Sequence, residues 1–185
     1  MKPILILISG FSCTGKTTLA KKIAQRYSLP LIGRDEIKES LYDSLGYSNR
    51  EWSKKLGIAS YDLLYLFVDK LLVNKQSLIT ESNFKSKIDT AKLLKLQSKY
   101  QFNLLQIHCY TSVEIALQRF KNRATSEKRH PGHVDHLIYE EMEENWRRGG
   151  YEILDICDRT IKIDTTDFNS IDYDKIHQTI EANLK

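Results

Sequence analysis

Apolar runs alternate with amphipathic segments along most of this chain. Five short apolar runs predict β-strands, at residues 3–9, 29–34, 77–82, 102–110 and 159–165. Apolar residues at three- and four-residue spacing predict helices, at residues 18–27, 35–45, 56–74, 87–100, 112–125, 136–148 and 170–184. Strands that alternate with helices form right-handed βαβ units, so the pattern indicates an α/β fold with a parallel sheet.

The composition is that of an ordinary globular protein. At 185 residues, with 41% hydrophobic and 28% charged residues, the chain has the size and balance of one domain. We find no repeat, linker or low-complexity tract, and therefore expect a single domain over residues 1–185. The net charge of +4 is mild and the basic residues are spread out, which suits an anionic substrate without requiring nucleic acid.

Cysteine usage and hydropathy favour a reducing, cytoplasmic setting. The three cysteines, Cys13, Cys109 and Cys157, are odd in number and show no paired spacing, which argues against a disulfide framework. The first apolar run is too short for a signal peptide, and no run reaches the length of a membrane span. We expect a cytoplasmic protein without a membrane partner, either a monomer or a homodimer.

The segment GFSCTGKTT, residues 10–18, lies between the first predicted strand and a helix. Gly10, Gly15, Lys16 and Thr17 match the pattern G-x-x-x-x-G-K-[ST] of a phosphate-binding loop. Glycines allow successive backbone N–H groups to point at one anion, the lysine reaches the β- and γ-phosphates, and the threonine hydroxyl ligates Mg²⁺. The alternative is a glycine-rich turn that only joins the two elements. The other loop residues that we expect to contact the nucleotide are Ser12, Cys13, Thr14 and Thr18, with Cys13 as filler and not as a nucleophile.

The rest of the chain argues against a GTPase. Such a protein needs D-x-x-G after a strand and N-K-x-D late in the chain. DSLG at 43–46 ends a helical segment, and NKQS at 74–77 lacks the aspartate and precedes the third strand. The remaining polar residues fit phosphoryl transfer to a hydroxyl better.

Asp35 directly follows the second predicted strand, at the edge of the sheet where the loop holds phosphate. A carboxylate there could accept the proton of an attacking hydroxyl, while Arg34 or Lys38 pairs with the acceptor or the migrating phosphoryl group. The alternative is that Asp35 caps the N-terminus of the following helix. Both roles are compatible.

Glu81 ends the apolar part of the third strand, and Asn83 follows on the same side of the strand. Either side chain could hold the water shell of a metal ion or the acceptor. The alternative is that Ser82 and Asn83 simply form a turn at the strand end.

A basic segment follows the fourth strand, and we expect a lid at about 119–136. Arg119 and Arg123 stand four residues apart on one helix, where like charges repel unless an anion lies between them. Arginines that close over a nucleotide stabilise the charge of the transferring phosphoryl group and exclude water. We expect Arg119 to contact the nucleotide and Arg123 to act in catalysis, although a solvated helix end would show the same pattern.

Residues 125–136 look like an exposed excursion, because they are charged and carry Pro131 and Gly132. Lys128 and Arg129 extend the basic lid, and Arg129 is a second candidate catalytic arginine. Three histidines at three-residue spacing, His130, His133 and His136, raise the alternative of a zinc site, although the proline and glycine interrupt the helix that such ligands would share.

Three aromatic residues, Tyr42, Tyr47 and Trp52, cluster between the second and third predicted helices. Small kinases often bind their acceptor in this region, so the cluster is a candidate platform for the substrate. The alternative is that these side chains belong to the core.

Four motifs together resemble one family: GFSCTGKTT, GRDEIKESL, TESNF and RFKNR…RHPGH. They resemble the small P-loop kinases of the AAA type, a group similar to polynucleotide 5′-hydroxyl kinases, zeta toxins and chloramphenicol phosphotransferases. The resemblance covers about residues 2–166. It implies a P-loop NTPase three-layer sandwich with a helical lid and a five-stranded parallel sheet in nucleoside-monophosphate-kinase order, 2-3-1-4-5.

By position, the resemblance implies that Lys16 and Thr17 bind ATP and Mg²⁺ and that Asp35 is the base. It also implies that Arg123 and Arg129 are lid arginines, and IDTT at 163–166 resembles the loop near the adenine. Lys38 is a departure, because polynucleotide kinases usually have arginine three residues after the aspartate, and lysine cannot grip phosphate bidentately.

The sequence therefore predicts an ATP- and Mg²⁺-dependent kinase that phosphorylates a hydroxyl of a small or nucleotide-like molecule. Its predicted acceptor-binding residues are Arg34, Lys38, Glu81 and Asn83. The alternatives are a nucleotide-binding regulatory ATPase that contacts a partner protein, and a polynucleotide 5′-hydroxyl kinase. Nucleic acid is possible as a partner but is not favoured.

Overall fold

A computed structural model describes residues 2–127, 129–149, 151–156 and 159–184 of the chain. All five predicted strands are present within these residues: β1 (Ile4–Ser9), β2 (Leu31–Gly33), β3 (Leu78–Glu81), β4 (Asn103–Tyr110) and β5 (Thr160–Asp164). Every neighbouring pair is parallel, and the order is β2-β3-β1-β4-β5. The predicted sheet order is confirmed. Cys157, one of the three cysteines, lies outside the described residues, as does Lys128 of the predicted lid.

Seven α-helices connect or follow the strands in the described part of the chain. They are α1 (Lys16–Tyr27), α2 (Arg34–Leu45), α3 (Arg50–Val73), α4 (Ser86–Tyr100), α5 (Val113–Ala124), α6 (Tyr139–Arg148) and α7 (Tyr173–Leu184). Within the described ranges, none of these helices combines the length and apolar character that crossing a membrane requires.

The predicted start of α3 at residue 56 was six residues too late. The Asn49 side chain accepts a hydrogen bond from the Trp52 N–H, 3.0 Å away, and caps the helix. The first turns of α3 are polar, so the apolar stripe that marks the helix begins only at Leu56. An asparagine at an N-cap was the available signal.

Two apolar layers cover the sheet, one on each face. Successive residues of β1 point to opposite faces, as the strand period requires. Ile4, Ile6 and Ile8 pack into a cluster with side chains of α1 and α7. Leu5 and Leu7 pack into a second cluster with side chains of α3 and α4. Because β1, β2 and β3 are parallel, their carboxyl ends lie at the same edge of the sheet, and the candidate site lies there.

Only part of the segment 125–136 is the exposed excursion that its charge predicted, because Thr125, Ser126, Glu127 and His136 are exposed whereas its second half packs on α2. It forms two short 3-10 turns, Pro131–His133 and Asp135–Leu137, and buries Gly132, His133, Val134 and Asp135. A Cβ on Gly132 would lie 2.6 Å from the buried Tyr42 ring, so glycine permits close packing of this segment on α2. Charge misled the prediction because these polar groups pair with partners on α2 and within the segment.

Candidate active site

The loop between β1 and α1 has the curled backbone that its glycines predicted. Gly10 and Gly15 adopt φ values of 126° and 79°, and Cys13 between them also has a positive φ, 64°. At Gly10 a side chain would place its Cβ 2.1 Å from the Cys109 carbonyl oxygen. Helix α1 begins directly after the loop, at Lys16, so its N-terminus faces the same space.

Three functional side chains meet at this loop. Lys16 is buried and donates from Nζ to the Phe11 carbonyl oxygen, 2.7 Å away, while its Nζ lies 3.9 Å from Glu81 Oε1. Thr17 Oγ1 donates to Glu81 Oε2 at 2.9 Å. Burial lowers the pKa of Lys16, which the Glu81 carboxylate opposes, and burial raises the pKa of Glu81, which Lys16 opposes. A bound polyphosphate would replace lost solvation around the ammonium group.

A cavity of about 400 Å³ opens above the loop. The predicted site residues that line it are Ser12, Cys13, Gly15, Lys16, Thr17, Thr18, Arg34, Asp35, Glu81, Asn83, Arg119, Arg123 and Arg129. Gly10 and Thr14 are buried beneath it, and Thr14 Oγ1 donates to the Phe11 carbonyl oxygen. Burial raises the pKa of the Cys13 thiol, which agrees with its predicted role as filler.

Asp35 lies in the first turn of α2, with its side chain 46% exposed toward the cavity. Gly33 is the N-cap of this helix and no side chain caps it, so the predicted capping role of Asp35 is wrong. Burial alone would raise the pKa of Asp35, but the charges of Arg34, His133 and Arg129 hold it well below its usual range. The group is therefore a carboxylate at neutral pH.

Arg129 joins the 3-10 segment to Asp35. Its Nε donates to Asp135 Oδ2 at 2.8 Å, and its Nη1 lies 3.4 Å from Asp35 Oδ2 and 3.6 Å from Glu39 Oε1. Arg123 Nη2 donates to the same Asp135 oxygen at 3.3 Å. One buried carboxylate, Asp135, therefore holds both predicted lid arginines beside the candidate base.

Arg119 lies on a different side of the loop from the other two arginines. Its Nη2 donates to the carbonyl oxygens of Thr165 and Thr166 at 2.7 and 3.0 Å, and its Nη1 donates to that of Cys13 at 3.4 Å. Its guanidinium stacks on the Phe168 ring, with the ring centroid 4.2 Å away. These contacts tie the phosphate loop to the segment after β5, which was predicted to run near the adenine.

A second cavity, also of about 400 Å³, adjoins the first. The residues that line both cavities are Ser12, Arg34, Asp35, Asn83, Arg123 and Arg129. We call this set the shared wall. Asn83 Nδ2 donates to Ser12 Oγ at 2.8 Å, and Arg34 stacks on the Tyr61 ring at 4.5 Å, so the wall is held in place by its own contacts.

The comparisons with known proteins agree with this geometry. The family described as an AAA domain matches residues 5–148. The chain belongs to this AAA-domain family. It is 34% identical to a candidate kinase from Chloroflexus aurantiacus, with all of both chains covered and a TM-score of 0.87.

Two further solved structures share the fold of this AAA-domain protein at low identity. A gluconokinase from Sinorhizobium meliloti is 13% identical, with 99% of this chain and 94% of that chain covered and a TM-score of 0.58. A chain of the Pnkp1/Rnl/Hen1 RNA repair complex is 14% identical, with 84% and 49% covered and a TM-score of 0.54. No curated protein matches the sequence. Family and fold together support a P-loop kinase that uses a nucleotide.

Lys38 of the AAA-domain protein lines the second cavity and not the first. It is 5% exposed, and its Nζ donates to Ser53 Oγ at 3.1 Å. Among the described residues, no carboxylate lies within 4.0 Å of this ammonium group. Burial, with repulsion from Arg34 as a smaller cause, lowers the pKa of Lys38 to about 8.

Replacing Lys38 by methionine is expected to stabilise the protein at pH 7. Because the folded-state pKa lies near 8 and the unfolded value is 10.5, the charged form costs stability below pH 8. The wild type recovers that cost as pH rises from about 8 to 10.5. Lys38→Met should therefore raise the free energy of unfolding by about 1–3 kcal/mol at pH 7. Urea unfolding at pH 7 and pH 10 measures the free energy of unfolding of both proteins. The prediction is contradicted if the difference between Lys38→Met and the wild type is the same at the two pH values.

The three histidines that raised the alternative of a zinc site do not converge on one point. His130 Nε2 and His133 Nε2 contact different carboxylates, Asp43 and Glu39, and His136 is exposed. In the described ranges, no group of three histidine, cysteine or acidic side chains is placed to hold a metal ion. The zinc alternative therefore has no support from the geometry.

Two of the three aromatic residues pack on one histidine, because the His130 ring stacks on Tyr42 with 5.1 Å between centroids and meets Tyr47 edge-on at 5.3 Å. Tyr42 is part of the core, whereas Tyr47 is 52% exposed and Trp52 Nε1 donates to the Gly46 carbonyl oxygen. None of these three side chains is among the residues that line the two cavities. They do not form a platform for a substrate.

Sequence reasoning missed several residues that line the second cavity: Arg50, Lys54, Tyr61, Lys85, Asp135, Glu141 and Tyr151. Most lie on α3, α6 or the segments beside them, far in sequence from the phosphate loop. No short motif marks them, and only the fold brings them together around the second cavity.

Proposed function

We propose that this protein is an ATP-dependent phosphotransferase that moves the γ-phosphoryl group of ATP onto a hydroxyl of a small acceptor. The observation that carries the proposal is the shared wall. A phosphate-binding cavity and a second cavity meet at Asp35, with Arg123 and Arg129 beside it. Donor and acceptor bound in the two cavities would therefore face each other across one carboxylate.

The first cavity supplies the donor side. Backbone N–H groups of the loop and the N-terminus of α1 would surround the β- and γ-phosphates, with Lys16 as the charged contact. Thr17 Oγ1 and Glu81 Oε2, 2.9 Å apart, are oxygen donors of the kind that Mg²⁺ prefers, and so they fit this ion. Bound Mg²⁺ would neutralise phosphate charge.

The second cavity supplies the acceptor side. Asp35 orients the acceptor hydroxyl and accepts its proton as the oxygen attacks the γ-phosphorus. The new phosphorus–oxygen bond forms while the bond to the β–γ bridging oxygen breaks, and ADP leaves with that electron pair. A low pKa makes Asp35 a weak base but keeps it ionised, which suits orientation of a hydroxyl in a loose transition state.

Arg123 and Arg129 stabilise the charge that spreads over the transferring group. Asp135 holds both guanidinium groups in position before substrate binds, so little reorganisation accompanies the reaction. Arg129 Nη1 also contacts Asp35 directly, so the same guanidinium group would lie beside both the carboxylate and the phosphoryl oxygens without changing its anchor on Asp135.

Transfer of label from γ-³²P-ATP tests this proposal. With Mg²⁺ and pools of hydroxyl-bearing metabolites, we expect ADP release to rise in proportion to one acceptor, with the label recovered in that acceptor. Label recovered only as inorganic phosphate, with ADP release that responds to an added protein, would instead indicate a regulatory ATPase and contradict the proposal.

A further inference from the structure

The second cavity is strongly cationic. Seven arginine and lysine side chains among its described lining face three carboxylates. The cations are Arg34, Lys38, Arg50, Lys54, Lys85, Arg123 and Arg129, and the anions are Asp35, Asp135 and Glu141. Such a lining attracts negative charge into the cavity.

The three carboxylates are already engaged by particular cations. Arg50 forms two hydrogen bonds to Glu141, at 3.0 and 2.7 Å, and Lys54 Nζ lies 3.3 Å from the same carboxylate. Asp135 holds Arg123 and Arg129, as described above. Glu141 thus serves two cations with one negative charge, and this corner of the cavity keeps an excess of positive charge.

Lys38 is the sharpest sign of an absent counter-charge. Its ammonium group is buried, donates to the neutral hydroxyl of Ser53 and lies 5.4 Å from the centroid of the Tyr42 ring, and a buried ammonium group without a contacting carboxylate is costly. Burial is the main cause that lowers the pKa of Lys38, and the positive charges of Arg34, Arg50 and Arg129 lower it further, while the Asp35 carboxylate opposes them. An anion bound among these groups would relieve both the desolvation and the repulsion.

We propose that the acceptor is a small anionic hydroxyl compound. Its carboxylate or phosphate group is held by Lys38 together with Arg50 and Lys54, while its hydroxyl faces Asp35 across the cavity. This inference rests on the proposed function and adds the chemical class of the acceptor. Asp35 orients the hydroxyl of the acceptor, and the cations bind its anionic group.

The size of the cavity favours a metabolite over a nucleic acid strand. About 400 Å³ lies near the lower end of ligand pockets and holds one small molecule. Lysine at position 38 also provides a point charge, which suits carboxylate and phosphate groups alike.

Isothermal titration with three matched compounds tests the inference. Glycerate, glycerol 3-phosphate and glycerol share a three-carbon skeleton and differ in carrying a carboxylate, a phosphate or no charge. The full chain is first saturated with a non-hydrolysable ATP analogue and Mg²⁺, so that the phosphate loop is filled. We expect saturable binding of at least one of the two anions, with glycerol at least about tenfold weaker. Which anion binds distinguishes the carboxylate from the phosphate.

Variants locate the binding. Lys38→Met and the exposed Lys54→Met should each weaken anion binding about tenfold, whereas Lys70→Met, an exposed lysine of α3 outside the cavity, should not change it. Lys54 lies at the surface, so its replacement tests the binding site independently of any change in folding at the buried Lys38.

Three outcomes would overturn the inference. The first is that glycerol binds with the same affinity as the anions. The second is that neither anion binds to the nucleotide-loaded protein. A 5′-hydroxyl oligonucleotide could bind more tightly than both, with a steep salt dependence that indicates a polynucleotide acceptor. Failure of the ATP analogue itself to bind would instead contradict the proposed function, so the two failures are distinguishable.

Discussion

Replacing Lys16 by alanine is expected to reduce phosphoryl transfer by about 10²–10³-fold. The ammonium group is the buried charged contact of the phosphate loop, and its site is dry enough for burial to lower its pKa. The substitution also leaves Glu81 buried beside Thr17 without its nearest cation, so nucleotide affinity should fall as well. Labelled transfer and titration with the ATP analogue measure the two effects.

Lys22→Ala is the matched control for this variant. Lys22 lies on the same helix but is exposed, and its Nζ contacts Tyr173. Its replacement should leave transfer unchanged. If Lys16→Ala and Lys22→Ala retained equal affinity for the ATP analogue, Lys16 would not contribute to nucleotide binding.

Replacing Asp35 by asparagine is expected to reduce transfer by about 10²–10⁴-fold while leaving the affinity for ATP nearly unchanged. The amide is close to the carboxylate in shape but cannot accept the acceptor proton. Asp35 contacts Arg129 and lies on the shared wall, so the loss should appear in the chemical step. Rapid-quench measurement of labelled transfer under single-turnover conditions isolates that step.

Asp62→Asn, an exposed position on α3, controls for the change of charge. Because its neighbours hold the pKa of Asp35 well below its usual range, the wild-type chemical step should also show no inflection near pH 4 from this group. An Asp35→Asn variant that transfers phosphoryl at the wild-type rate would show that another group orients the hydroxyl.

The sheet and the phosphate loop were predictable because both depend on local sequence. The continuous apolar run before Gly10 predicts a buried parallel strand, and the glycines and Lys16 that follow mark the loop by fixed spacing. The sheet order came from the resemblance to P-loop kinases and is confirmed. Element ends were less certain where polar residues begin a helix, as at Asn49.

The second cavity was not predictable in the same way. Arg50, Lys54 and Glu141 come from helices that are separated by many residues, and their convergence depends on how those helices pack. The charge of the segment around Asp135 predicts exposure, whereas this carboxylate is buried and forms ion pairs with two arginines. Contacts between distant parts of the chain determine which of these charged residues are buried, and local composition does not indicate such contacts.

A buried Lys38 without a contacting carboxylate among the described residues lowers stability and is expected to serve function. Replacing Lys38 by methionine is expected to stabilise the protein and to weaken anion binding. Removal of one charge would therefore have opposite effects on stability and on binding. If the acceptor is the anion proposed above, the same residue links the stability of the fold to the choice of acceptor.

A crystal structure with a non-hydrolysable ATP analogue and Mg²⁺ tests the central claim most directly, that the loop presents a γ-phosphate to Asp35. We predict the triphosphate in the first cavity, with its γ-phosphate between Lys16 and the shared wall. A triphosphate bound elsewhere, or one whose γ-phosphate points away from Asp35, would contradict the account.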